Sequence, residues 1–166
     1  MFNINDVVIH KSQGALVIRD ILTKDFGLGS QTYYYLTPKF VNNINNSLEL
    51  YLPTATADDY IRKPITKEKV NQLILAIPSM EKIWVNDARK RKMKFEEIYY
   101  SGDIHGLCQL VKLLYIEDEF FEKPMSLTDR NFLKKVRNNM FDEFAVALDI
   151  LPDEVEKHIV TNLGQE

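Results

Sequence analysis

The stretch Asp58-Asp59-Tyr60-Ile61-Arg62-Lys63-Pro64-Ile65-Thr66-Lys67-Glu68-Lys69-Val70-Asn71-Gln72-Leu73-Ile74-Leu75-Ala76-Ile77-Pro78 is where the chain changes period. On its N-terminal side, apolar residues come in short runs separated by Gly, Asn and Pro. On its C-terminal side, Val70, Leu73, Ile74 and Ile77 fall on one face of a helix until Pro78 stops the pattern. A single switch of this kind sets a β piece before an α piece, so the expected class is α+β with two domains. The expected domains are 1–60 and 64–166, with the boundary near Asp58–Pro64.

Upstream of the switch the signals are those of strands and tight turns. Val7-Val8-Ile9 follows a polar Asn5-Asp6 turn, and Gly14 opens the β-branched run Ala15 to Ile21. Gly27, Gly29 and Ser30 break the chain as a hairpin does. Thr32-Tyr33-Tyr34-Tyr35-Leu36 is an aromatic strand stopped by Pro38, and Leu48 to Leu52 alternates before Pro53. Four or five short strands of this kind suggest a small open barrel of the SH3 or Tudor type, or a hairpin sheet; periodicity does not separate the two.

Downstream, about five helices are expected. The first runs from Thr66 to Pro78, and the second from Glu81 or Lys82 to Tyr100, with Phe95 and Ile98 facing inward. Gly102 suits a C-terminal cap and Asp103 the next N-cap. The third runs from Ile104 to Phe121, with Leu107, Leu110, Val111, Leu114 and Tyr115 at core spacing, and Pro124 breaks the chain. Ser126 caps the fourth, with Asp129 three residues on, and it continues to Leu148. Pro152 opens the fifth and Gly164 ends it.

The composition removes several functional classes. A hydrophobic share of 45% and a charged share of 27% are enough for a packed core, and no part looks disordered. The longest apolar run, Leu107 to Ile116, is interrupted by Gln109 and Lys112, too short for a bilayer; no membrane partner is expected. The start, Met1 to Asp6, lacks a secretory pattern, and the single Cys108 suits a reducing cytoplasm. His10, His105 and His158 lack metal-ligand spacing, Cys108 falls on a core face, and Gly27-Leu28-Gly29 is no phosphate loop. No catalytic residue, metal or cofactor is therefore expected.

Charge is sorted along the helical half. Although the formal net charge is −3, residues 82–94 hold six cations, Lys82, Arg89, Lys90, Arg91, Lys92 and Lys94, against Asp87 alone. Arg130, Lys134, Lys135 and Arg137 form a second basic run, and Glu117, Asp118, Glu119 and Glu122 an acidic block between the two. Such runs serve as solvated helix faces or as anion-binding surfaces. The only tryptophan, Trp84, stands at the expected start of the second helix, just before the first basic run. It reads either as a core aromatic that anchors the helix, or as an apolar wedge against DNA whose phosphates the cations neutralise. The residues by themselves leave both readings open.

With these residues in order, the chain resembles the CarD/CdnL family of bacterial RNA polymerase-binding transcription regulators over nearly its whole length. The resemblance is carried by Phe2, Asp6-Val7-Val8-Ile9 and Gly14, Tyr34-Tyr35-Leu36, Leu52-Pro53 and Ile61-Arg62 in the first half. In the second half it is carried by Trp84, Ser101-Gly102-Asp103-Ile104, Val111, Leu114, and the run from Ser126 through Arg130, Leu133, Arg137, Glu143 and Ala145. It implies a Tudor-like domain that binds the polymerase β subunit, partly by strand addition, with contacts at Lys24 and at Tyr51, where a basic side chain is common in the family. It implies a helical domain on promoter DNA at the upstream edge of the bubble, with Trp84 as a minor-groove wedge. Arg89, Lys90, Lys92 and Arg130 are the candidate phosphate contacts beside it. The chain departs from the family in its first turn, His10-Lys11-Ser12-Gln13-Gly14, and after the tryptophan, where Val85-Asn86-Asp87 precede the cations.

The favoured expectation is thus a monomeric, non-enzymatic, cytoplasmic regulator that stabilises or tunes open promoter complexes. A polymerase-binding adaptor without DNA contact is the alternative, favoured by the net charge and by Asp87. An unrecognised small enzyme has no residue-level support.

Overall fold

The computed structural model describes residues 1–116 and 121–164. The chain divides into two compact units, Met1–Pro64 and Ile65–Glu166. The first is a five-stranded antiparallel sheet and the second a set of helices, which is the α+β layout expected from the change of period.

The sheet unit contains β1 (Val7–His10), β2 (Gly14–Asp25), β3 (Ser30–Pro38), β4 (Leu50–Pro53) and β5 (Ile61–Arg62), in the spatial order β4-β3-β2-β1-β5. β4 and β5 are the two edges. The second strand is longer than its apolar run because β2 and β3 continue past the core as a projecting hairpin, paired as far as Asp25↔Ser30. At the turn, Gly27 and Gly29 have φ of 95° and 87°, a region open to glycine, and the Asp25 carboxylate accepts from both of their N–H groups. The ladder shifts register between Ile18 and Asp20, a bulge that turns the hairpin's side chains relative to the core. One face then collects Val8, Leu16, Ile18, Tyr34, Leu36 and Leu52, closed by Phe2, Ala57 and Ile61. The Tyr34 hydroxyl accepts from Phe2 N–H at 3.1 Å, so the buried phenol keeps a partner.

The helical unit contains α1 (Lys67–Ala76), α2 (Ala88–Ser101), α3 (Ile104–Tyr115), α4 (Leu127–Leu148) and α5 (Pro152–Leu163). The caps fall where the residue types put them. Gly102 takes φ 72°, Asp103 accepts from His105 and Gly106 N–H, Ser126 accepts from Asp129 N–H, and Pro152 begins α5. Glu143, buried in α4, accepts from Ile65 N–H at 3.0 Å and ties the entry to α1 onto the core. That core joins Val70 and Ile74 of α1, Phe95 and Tyr99 of α2, Leu110 and Leu113 of α3, and Leu133, Val136, Met140 and Phe144 of α4.

The second helix starts later than expected. It begins at Ala88, with Asp87 as N-cap accepting from Lys90 N–H at 2.8 Å, and residues 81–87 are not helical. Trp84 therefore stands on a loop before α2. The described part of the third helix ends at Tyr115, and its expected continuation through residues 117–120, with Glu117, Asp118 and Glu119 of the acidic block, lies outside the described residues. No helix of the described residues is long and apolar enough to cross a membrane.

Candidate functional site

The loop carrying Trp84 has little regular backbone pairing, so side chains from the surrounding helices secure its carbonyls. Lys112, buried on α3, donates from Nζ to the carbonyls of Pro78 and Met80 at 2.7 and 2.8 Å. Gln109, one turn earlier, donates to the Glu81 carbonyl at 3.2 Å. Arg91, on the first turns of α2, reaches back and donates from Nη1 to the carbonyls of Val85 and Asn86 at 2.8 and 3.2 Å. The loop is thus fixed on both sides of Trp84.

The indole is half-buried. Its ring tilts onto Phe121 with centroids 4.4 Å apart and meets Phe95 edge-on at 6.1 Å. The Arg91 guanidinium lies over it, 4.3 Å from the ring centroid, a cation–π distance. The same guanidinium forms a forked ion pair with Asp129 of α4, at 2.8 Å from Nη2 and 3.2 Å from Nε. Asp129 also accepts from the Ser126 hydroxyl at 2.7 Å. The two charged side chains are about nine-tenths buried. A hollow of about 480 Å³ opens beside the ring, lined by Asn86, Phe121, Pro124, Met125 and Ser126 among others. Trp84 is therefore neither sealed in the core nor standing free: its ring packs on Phe95, Phe121 and Arg91 and also borders the hollow.

The cations near it divide into two kinds. Arg89, Lys90 and Lys92 are exposed on α2, as phosphate contacts must be. Lys92 is shared with Glu96 at 4.0 Å and Lys94 with Glu97 at 3.6 Å, spacings worth little on an exposed helix. Arg91, counted in the same basic run, is turned inward. Its place on the inner face follows from the spacing Arg91, Phe95, Tyr99, and that spacing was the signal in the sequence that could have separated it from its neighbours. Asp129 and Lys112 carry the same signal, in phase with Leu133 and with Cys108 respectively. Asp87 caps α2 by accepting from Lys90 N–H, which gives the acid in this basic run a structural role.

Arg130 is half-buried at the start of α4. It shares its flank with Arg137, two helical turns on, which lies over the Phe141 ring. The flank of α4 that faces α2 is marked instead by Phe132, stacked on Phe95, and by Lys135, 5.3 Å from the Tyr99 ring centroid. Arg130 directly follows Asp129, the partner of Arg91 of α2, and Lys135 adds a cation against the Tyr99 ring of the same helix.

In the sheet unit, the two candidate polymerase contacts touch each other. Lys24 Nζ lies 4.6 Å from the Tyr51 ring centroid and 3.4 Å from its hydroxyl. Tyr51 is on the edge strand β4, stacked on Tyr35 at 5.1 Å, with Phe26 edge-on at 5.5 Å.

Cys108 is fully buried against Met140, with sulfurs 3.6 Å apart, and burial pushes its thiol up to about 12. At neutral pH it is a protonated core side chain.

Residues 76–160 match the family model described as CarD, C-terminal domain. The match spans the Trp84 loop and most of the helical unit, so the class is that of RNA polymerase-interacting transcription regulators. The chain belongs to the CarD/CdnL family. A comparison with curated proteins gave no match.

Proposed function

We propose that this chain docks on the β subunit of RNA polymerase through its sheet unit, as a Tudor-like module, and holds the upstream edge of the promoter bubble through Trp84. The observation that carries the reading is the indole itself. It is the single tryptophan, it stands on a loop fixed from both sides, and it borders an open hollow just before the helix that carries the exposed cations. A flat ring of this kind can replace base stacking lost at a distorted step while Arg89 and Lys90 neutralise phosphates. Docking is supported by the edge strand β4, whose outer side has no strand partner, and by the Lys24–Tyr51–Phe26 cluster beside it. Whether a longer-lived bubble raises or lowers output depends on which step limits the promoter.

The test is the lifetime of the open complex formed by the cognate polymerase on a linear promoter fragment, with and without the full chain. A longer lifetime supports the reading, and an unchanged one with polymerase bound overturns it. An adaptor without DNA contact is favoured by the Lys92–Glu96 and Lys94–Glu97 pairs and by the burial of Arg91, which leave less positive charge on α2 than its sequence indicates. Footprinting separates the two, because an adaptor adds no protection at the upstream edge of the bubble.

A further inference from the structure

A wedge works only if its ring is held in one orientation before DNA arrives, since ordering it on binding would cost affinity. Trp84 has no helix to hold it. Two of its ring neighbours, Phe95 and Phe121, supply apolar contact but no direction. Arg91 differs, because one planar guanidinium makes several directional contacts at once. It covers the Trp84 face, takes the two carbonyls that follow Trp84 in the chain, and is itself fixed by both Nε and Nη2 on Asp129. Asp129 is fixed in turn by the Ser126 hydroxyl at the start of α4. The Arg91 and Asp129 side chains are both buried, so the Arg91 charge is already neutralised and has little to offer a phosphate.

We propose that Arg91 and Asp129 are positioning residues for Trp84, and that Arg91, although it lies in the basic run, makes no phosphate contact. The cation over the indole is supplied by a side chain folded back from α2 across Val85-Asn86-Asp87. A lysine cannot replace it: an ammonium has no fork for the carboxylate and no flat face for the indole. The proposal rests on the reading of Trp84 as the DNA wedge.

The test uses the full-length chain with Arg91→Lys, Trp84→Ala and the double variant. Because Trp84 is the only tryptophan, its emission and acrylamide quenching report on that ring alone. Arg91→Lys should stay folded, shift Trp84 emission to the red, raise its quenching, and shorten the open-complex lifetime by about five-fold or more, the lower end for one lost base stack. The charge-removing pair Arg91→Met with Asp129→Leu should leave the slope of log affinity against log salt unchanged, whereas loss of a phosphate contact lowers that slope by about one. In the Trp84→Ala background, Arg91→Lys should shorten the lifetime no further. Should Arg91→Lys fail to fold, Arg91→Met with Asp129→Leu removes the pair without stranding a charge and takes the same measurements, quenching and lifetime included. Unchanged quenching, a reduced salt slope, or a full effect in the Trp84→Ala background overturns the proposal. If Trp84→Ala leaves the lifetime unchanged, the wedge reading falls instead, and quenching in Arg91→Lys still decides whether the pair fixes the ring.

Discussion

At the scale of single residues, burial decides what a charge or an aromatic can do. Trp84 is half-buried, packed against Phe95 and Phe121 and bordering a hollow that Phe121 also lines. Trp84→Ala should therefore cost about 1–2 kcal/mol of stability, between the small loss at a surface site and the 3–5 kcal/mol of a fully buried tryptophan. Urea denaturation checks this, and a loss above about 3 kcal/mol would make the ring a core anchor. The same variant should shorten open-complex lifetime by roughly five- to a hundred-fold, the equivalent of about 1–3 kcal/mol of stacking lost from the open state alone. Composition could not show that Arg91, Lys112 and Asp129 are buried, since each type is usually exposed. Their helical phase could: each is spaced with apolar residues on the inner face of its helix. What no phase shows is the backbone of residues 81–87, because its carbonyls are held by Gln109 and Arg91 reaching in from helices.

At the scale of elements, α2 presents cations outward and aromatics inward. Arg89 and Lys90 are exposed and in no ion pair among the described residues, while Lys92 is shared with Glu96. Replacing Arg89, Lys90 and Lys92 together by glutamine should weaken DNA binding on all promoters alike. The slope of log affinity against log salt should fall by about two to three, one for each lost phosphate contact. Binding titrations between low and physiological salt measure it. A loss confined to one promoter sequence, or an unchanged slope, would remove α2 from the phosphate-binding surface. The elements were legible wherever one local signal sufficed, such as Gly102 and Asp103 between α2 and α3, or Gly27 and Gly29 at the hairpin. They were misjudged where a helical pattern ran on without its hydrogen bonds, as over residues 81–87. There an isoleucine, a tryptophan and a valine in succession satisfy several periods at once.

At the scale of the whole molecule, each unit has its own core, and the change of period at residues 58–78 was enough to find both. The three groups pushed to about 12, Cys108, Tyr99 and Tyr115, all belong to the helical unit. Burial is the main cause in each, joined by Glu143 and Asp103 at the thiol, by Tyr100 at Tyr99, and by the Glu156 carboxylate at Tyr115. Each holds its proton more tightly folded than unfolded, so stability is complete below the ordinary values of 9.0 for the thiol and 10.0 for the phenols and falls as pH rises towards about 12. Tyr115, half exposed, contributes least. Urea midpoints followed by Trp84 emission should drop across that window, and Cys108→Ala should delay the onset from about 9 to about 10. A midpoint that stays flat to pH 12 would contradict the burial of Cys108 and Tyr99. Separation of the units supplies the last expectation. A cut after Pro64 severs no strand pair, because β5 stays with β1 through Ile9↔Arg62 and His10↔Ile61. The Ile65–Glu143 bond and the Trp84 clamp stay with the helices. A fragment of residues 1–64 should therefore fold as a sheet and retain binding to the polymerase β subunit, since it holds Lys24, Tyr51 and the edge strand β4 intact. The fragment 65–166 should fold as helices, lose capture of polymerase, and keep salt-dependent DNA binding. Co-purification of each fragment with the isolated β subunit decides it: capture by 65–166, or its absence with a folded 1–64, would move the docking surface away from the sheet.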